Sequence, residues 1–227
     1  KILVLPPPKA EELTGYITDS INFTELFDGT MINLFYNNDK WNLSSRSTIG
    51  CNNRWTTDKT YKELFEETQD INYEILDKNY SYSCVLRNKS NRNISFIDKD
   101  EIILVKIYDT INSCEIELTE NHGFNIPKVY DSMDDIDITD CRIKGFTYTL
   151  DDKRYKWLSI SFKQMKELKL NINDKSDWKL IENHIERHLI EYSSVESVTP
   201  VSCEECGRFL EYKAVIKDPK SKKGWFK

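Results

Sequence analysis

Apolar residues recur along this chain with two different periods, and the changes of period mark its elements. The runs Thr30-Met-Ile-Asn-Leu-Phe-Tyr36 and Lys40-Trp-Asn-Leu-Ser-Ser45 are separated by Asn37-Asn-Asp39, a trio that favours turns, so residues 30–45 are predicted to form a β-hairpin. A strand over 23–27 precedes it. Two more strands are predicted over 80–86 and 101–108, with a shorter extended run over 92–96 between them. A second hairpin pairs 146–150 with 154–162 across Asp151-Asp-Lys153. The helical period appears twice. Residues 58–68 place Tyr61, Leu64, Phe65 and Thr68 on one face, with Glu63 three residues after Thr60 in capping-box spacing. Residues 177–192 carry the stripe Trp178, Ile181, Ile185, Leu189 and Tyr192, with Ser176 as N-cap. The run Leu5-Pro-Pro-Pro-Lys9 is a stiff, extended lead-in, because consecutive prolines favour polyproline geometry. Strands outnumber helices and come in hairpins, so the class is α+β with mainly antiparallel sheets. No internal repeat is present.

Composition narrows this picture without overturning it. The chain has 227 residues, 39% of them hydrophobic, 12% aromatic and 31% charged with mixed sign. That suits one large folded domain, or one with a small appendage, and not a disordered segment. No run approaches the roughly 20 apolar residues of a membrane span. The opening Lys1-Ile-Leu-Val-Leu5 is too short for the core of a secretory signal, so a non-secreted protein is expected. Because the sequence opens on Lys1 and not on methionine, it reads as a processed or excised segment. The formal net charge of -6 argues against coating nucleic acid through an overall field, but leaves room for a local basic groove. The cysteines Cys51, Cys84, Cys114 and Cys141 are scattered and only Cys203 and Cys206 are close, which fits a reducing compartment better than a disulfide framework. Abundant Asn, Asp, Lys and Ile with little Ala and Gly is the signature of A- and T-rich coding, common in large DNA viruses and some protists.

The stretch Phe27-Asp28-Gly29-Thr-Met-Ile-Asn-Leu-Phe-Tyr, followed by Trp41-Asn-Leu-Ser-Ser-Arg46-Ser-Thr-Ile-Gly50, resembles the nucleophile region of phage and viral RNA ligases. In that family a Lys-x-Asp-Gly turn opens a strand, a second strand returns, and a Ser/Thr-rich basic segment follows. Three further blocks recur in family order. Tyr82 to Arg92 resembles the strand that ends in Asn-Arg, Lys144-Gly145-Phe-Thr-Tyr resembles the Glu-Gly-Phe-Val block, and Arg154-Tyr-Lys156-Trp-Leu-Ser resembles the closing lysine-bearing strand. The resemblance implies a covalent nucleotidyltransferase (ATP-grasp-like ligase) core of antiparallel sheets with flanking helices over 20–170. An extended lead-in over 1–19 would precede it and a C-terminal helix and tail over 171–227 would follow.

The family's chemistry needs a lysine amine whose lone pair attacks the α-phosphate of ATP. Aligned on Asp28 and Gly29, that position holds Leu26, and leucine cannot attack a phosphate. Val85 stands where the resemblance places an acidic residue, Lys144 replaces the glutamate before Gly145, and Leu158 replaces the second lysine of the closing strand, while Lys156 keeps the first. The resemblance therefore implies a fold kept without its chemistry and without a tight ATP site. Such a chain would be a structural, scaffold or nucleic-acid-contacting component of a large DNA virus, with protein partners in a viral assembly. It would reside in the virion or in the cytoplasm of the infected cell. The alternative is an active ATP-dependent RNA ligase that uses another lysine together with ATP and Mg.

Outside these blocks, Arg46, Arg54, Lys59, Arg87, Lys89 and Arg92 interleave with Trp41, Trp55 and Tyr82. That arrangement could follow a phosphate backbone with stacking, or could simply form the polar faces of strands. Cys203-Glu-Glu-Cys206 has zinc-knuckle spacing, and His184 and His188 are one helical turn apart. The four could hold zinc, or be ordinary cysteines and surface histidines, and the expectation is no resident metal. The acidic run Asp134, Asp135, Asp137 and Asp140 could draw a divalent cation but reads first as a solvated loop.

Overall fold

The computed structural model describes residues 2–12, 22–54, 57–91, 93–132, 135–136, 140, 142–151, 153–163 and 166, and the backbone of 195–202, 209–216 and 224–226. The chain divides into two compact units, Lys1–Ser159 and Ile160–Lys227. Antiparallel sheets dominate, and helix is sparse among the described residues.

The first unit contains two five-stranded sheets. One has the order β4-β3-β5-β6-β7, from Lys40–Ser45 (β4), Thr30–Asn37 (β3), Tyr80–Arg87 (β5), Glu101–Asp109 (β6) and Cys114–Ile116 (β7). The β3–β4 hairpin falls where the apolar pattern puts it. Its turn residues Asn38 and Asp39 both adopt positive φ (53° and 58°), as a two-residue hairpin turn requires. The helix α1 (Tyr61–Thr68) begins three residues later than the sequence suggests. Its N-cap is Thr60, whose hydroxyl accepts the Glu63 amide while the Glu63 carboxylate accepts the Thr60 amide. Tyr61, Leu64 and Phe65 from α1 pack on Ile32, Leu34, Tyr82, Leu86 and Leu104, forming the larger core on one face of this sheet.

The other sheet has the order β1-β10-β9-β2-β8, from Glu11–Glu12 (β1), Lys153–Leu158 (β10), Gly145–Leu150 (β9), Phe23–Leu26 (β2) and Val129–Tyr130 (β8). Its core is Phe23, Ile136, Ile143, Phe146 and Tyr148, flanked by Tyr155 and Trp157. The lead-in after the prolines is part of this sheet: Glu11 and Glu12 pair in parallel with Tyr155 and Lys156, and Arg154 donates to the Pro8 carbonyl at 3.2 Å.

Three differences from the sequence reading have physical reasons. Residues 93–96 are not a strand. They form a loop whose Ile94 and Ser95 amides turn inward onto Asp28. The strand from 153 stops at Leu158 and not at 162, because its β9 partner ends at Gly145. In the second unit, Val195–Ser202 (β11), Phe209–Ile216 (β12) and Gly224–Phe226 (β13) form an antiparallel sheet in sequence order, where only a tail was expected. Pro200 hides β11 from a propensity reading, but β11 is an edge strand, where proline is tolerated. The expected helix over 177–192 lies outside the described residues. Among those described, no helix is long and apolar enough to cross a membrane.

Candidate functional site

The turn after β2 is fixed by its own side chains. The Asp28 carboxylate accepts the Ile94 and Ser95 amides through one oxygen, at 2.5 and 3.1 Å. Gly29 has no room for a side chain, since a Cβ there would lie 2.5 Å from the Leu86 carbonyl oxygen and 2.7 Å from Val85 Cγ1. Phe27 lies under the Arg87 guanidinium, 5.1 Å from ring centre to Cζ.

Strand register brings the separate sequence blocks together. Leu26 pairs with Gly145, and Gly145 pairs with Leu158, while Thr24, Thr147 and Lys156 form the next row on the same face. Leu26 and Leu158 therefore flank Gly145 from either side. Gly145 (φ +152°) is obligatory there, because a Cβ would collide with the Trp157 carbonyl oxygen. The Lys144 amide donates to the Leu26 carbonyl at 2.8 Å, and its carbonyl accepts from Ser159 at 3.0 Å. Val85 is buried against Gly29, between Met31 and Ile103 in register. Gly29 and Gly145 are both required by the backbone, and Leu26, Val85 and Leu158 bring no charge to the rows beside them.

A hard cation takes several oxygen ligands. Here Val85 offers none, Lys144 brings a positive charge, and Asp28 has one oxygen engaged by two amides. Among the described residues no group of three or more His, Cys, Asp or Glu could hold a metal. His184, His188, Cys203 and Cys206 lie outside the described residues, as do Asp134 and Asp137. Asp140 pairs with Arg142 at 3.0 Å. Cys51 and Cys84 are free and buried, and burial pushes both thiols up, that of Cys51 to about 12. Both pack as small apolar groups in the larger core.

A cavity of about 530 Å³ opens beside the Asp28 turn, lined among others by Asp28, Thr30, Arg46, Asn53 and Asn91. Its wall is braced by Asn91 donating to the Thr30 hydroxyl at 3.1 Å and by Ser45 donating to the Asn53 side-chain oxygen at 3.3 Å. Arg46 is exposed on the cavity rim with no ion-pair partner among the described residues, and Arg54 is exposed farther along the same loop. Arg87 takes the other of the two readings, the polar face of a strand. It is only 2% exposed, forms an ion pair with Glu101, and donates to the carbonyls of Phe96 (3.0 Å) and Arg142 (2.6 Å). A guanidinium so engaged has no face for a phosphate backbone. Arg92 lies outside the described residues.

Sequence reasoning missed a polar row on the sheet face opposite the larger core. Ser44, Asn33, Ser83 and Lys106 lie in register across β4, β3, β5 and β6, and all four are buried. Ser83 donates to Asn33 at 2.8 Å, and Asn33 donates to Ser44 at 3.4 Å. The only trace in the sequence is the alternation of polar with apolar residues, which an exposed strand face would give equally.

No family model matches the chain, and no curated protein matches it. Solved structures of an RNA ligase from Naegleria gruberi are similar to parts of it. The ligase with PPi matches at 14% identity and TM-score 0.44, covering 66% of this chain and 53% of that one. A mutant with ATP and Mn matches at 14% and 0.44 over 72% and 64%, and an apo mutant at 13% and 0.44 over 65% and 51%. This chain thus spans between about half and just under two thirds of the length of the ligase chains to which it is similar.

Proposed function

We propose that this protein is an RNA-ligase-like scaffold that contacts nucleic acid without nucleotidyl transfer, serving as a structural component of a large DNA virus. The observation that carries the reading is the pair of leucines, Leu26 and Leu158, on either side of Gly145. Neither has a lone pair to attack phosphorus or a charge to hold it. Two lost cations each remove a charge-assisted contact of about 1.5–3 kcal/mol. ATP affinity falls by roughly two to four orders of magnitude as a result. The reversed charge at Lys144 opposes a metal where the resemblance would place one. What remains is a cavity rich in amides and hydroxyls with Arg46 on its rim and Arg54 nearby, a combination suited to a sugar–phosphate strand. The composition, typical of A- and T-rich coding, supports the viral setting.

The test is incubation of the full chain with α-labelled ATP and Mg, followed by a denaturing gel. No label on the protein is expected. A labelled band mapped to any lysine would overturn this reading and establish the active ATP-dependent ligase in its place.

A further inference from the structure

The apolar face of the β3–β4 hairpin continues past the larger core. Tyr36 follows Ile32 and Leu34 at alternate positions of β3, and it pairs in register with Trp41 of β4. The two rings meet edge to face with their centres 5.4 Å apart. The short 3-10 turn Tyr73–Ile75 brings the Tyr73 ring to within 5.9 Å of Trp41, with the ring planes 34° apart. The Asp77 amide donates to the buried Tyr82 hydroxyl at 2.8 Å, which fastens this segment to the sheet. Tyr36 and Trp41 are half-buried, while Tyr73 is 37% and Ile75 53% exposed. An aromatic shelf therefore meets solvent at the turn end of the hairpin. It lies about six residues along β3 from Thr30, roughly 20 Å at ordinary strand rise, so it is separate from the Asp28 turn.

Its surroundings say which charge the shelf favours. The Lys78 ammonium lies over the Tyr36 ring, 4.7 Å from its centre, so one face already seats a cation. Residues 69–79 carry Asp70, Glu74 and Asp77 against Lys78 alone, and Asp39 and Lys40 of the hairpin turn cancel. Asp70 and Glu74 are exposed and form no ion pair among the described residues. Burial first, and then the negative charges of Glu66 and Asp70, push the Tyr73 hydroxyl up. A phosphate strand is repelled by such a field. A guanidinium is drawn to it, stacks flat on tyrosine and tryptophan, and can reach a carboxylate with its edge.

We propose that Tyr36, Trp41 and Tyr73 form a docking face for an arginine-bearing basic segment of a partner protein, with guanidinium groups stacked on Trp41 and Tyr73 and paired to Asp70 and Glu74. Lysine is the poorer ligand, because its ammonium is a strongly hydrated point charge without a flat face.

Fluorescence anisotropy with the full chain tests this, using a labelled peptide of alternating Arg and Gly, its Lys–Gly counterpart and a labelled oligo-dT as separate probes. The Arg–Gly peptide should bind about fivefold more tightly than the Lys–Gly peptide. Tyr73→Ser removes an exposed ring and no charge, and should weaken Arg–Gly binding about fivefold. Asp70→Asn with Glu74→Gln should weaken both peptides. Asp98→Asn with Asp100→Asn removes as much charge at the Asp28 end of the sheet and should change neither. Failure of the Arg–Gly peptide to bind, equal affinity for the two peptides, or unchanged binding to a folded Tyr73→Ser protein would overturn the proposal. So would oligo-dT binding that exceeds that of the peptide and is lost in Tyr73→Ser, since the face would then belong to nucleic acid. The adenylylation test above reads the Asp28 end of the sheet, so either idea can fail without the other.

Discussion

Strands β3, β5 and β6 carry Ile32, Leu34, Tyr82, Leu86, Ile102 and Leu104 on one face, and Asn33, Ser83, Arg87, Glu101 and Lys106 on the other. Both faces are shut off from water, but they are held in different ways. The apolar face gains from burial itself, roughly in proportion to area and with little regard to which neighbour does the covering. On the polar face most buried polar groups have a particular partner, because desolvation without one is a net cost, and among the described residues Ser81 Oγ and Arg87 Nε have none. Asn33 needs Ser44 and Ser83, Arg87 needs Glu101 and two carbonyls, and Lys106 needs Glu115. The first face makes the sheet stable. The second keeps polar groups at depth and in fixed register.

The largest expected effect breaks the polar face at its most connected residue. Arg87→Met leaves the Glu101 carboxylate and the carbonyls of Phe96 and Arg142 without their donor, and breaking a buried pair on one side costs about 3–5 kcal/mol. Adding Glu101→Leu should recover much of that loss, because two apolar residues in contact no longer bury a charge. Urea unfolding of the single and double variants reads both values. A single variant within about 1 kcal/mol of the wild type would mean that the pairing does not specify this face. A smaller effect is expected opposite. Ile102→Val removes one methylene from the apolar core and should cost about 0.5–1.5 kcal/mol by the same measurement, with no partner whose removal rescues it.

The difference between the faces also explains what could be read from the sequence. The β3–β4 hairpin, its turn at Asn38 and Asp39, the Thr60–Glu63 cap and the strands β5 and β6 are set by local chemistry, so short windows reveal them. The paired glycines were legible through a family resemblance, and the structure supplies their steric reason. For Arg87 the sequence leaves two readings open, a phosphate groove or the polar face of a strand, because its partner lies fourteen residues away and nothing local separates a paired arginine from a free one. The row from Ser44 to Lys106 was illegible for a related reason. Alternation shows that a strand has two faces, and only what packs across it decides whether the polar one is covered.

The smallest effect separates the faces by pH. Glu63 caps α1, and its hydrogen bonds from the Thr60 backbone and side chain hold its carboxyl below the usual glutamate range. A carboxyl depressed in the folded state contributes stability that is present above the unfolded value and is lost as pH falls through the folded one. Acidification from roughly pH 5 to pH 3 should therefore loosen α1 and the apolar face beneath it. Asp109 is held low as well, first by the Asn112 amide, so acid weakens more than one place. Glu63→Gln isolates the cap, since glutamine can keep the reach-back hydrogen bond but does not titrate. In hydrogen exchange, the Leu64 and Phe65 amides of the wild type should lose protection across that window, while the variant stays flat and the Ser83 amide is unchanged in both. Thr60→Ala should cost about 1 kcal/mol at neutral pH, where Glu63→Gln costs less. If the Leu64 and Ser83 amides lose protection together at one pH, the two faces open as a single unit and the distinction between them has no dynamic counterpart.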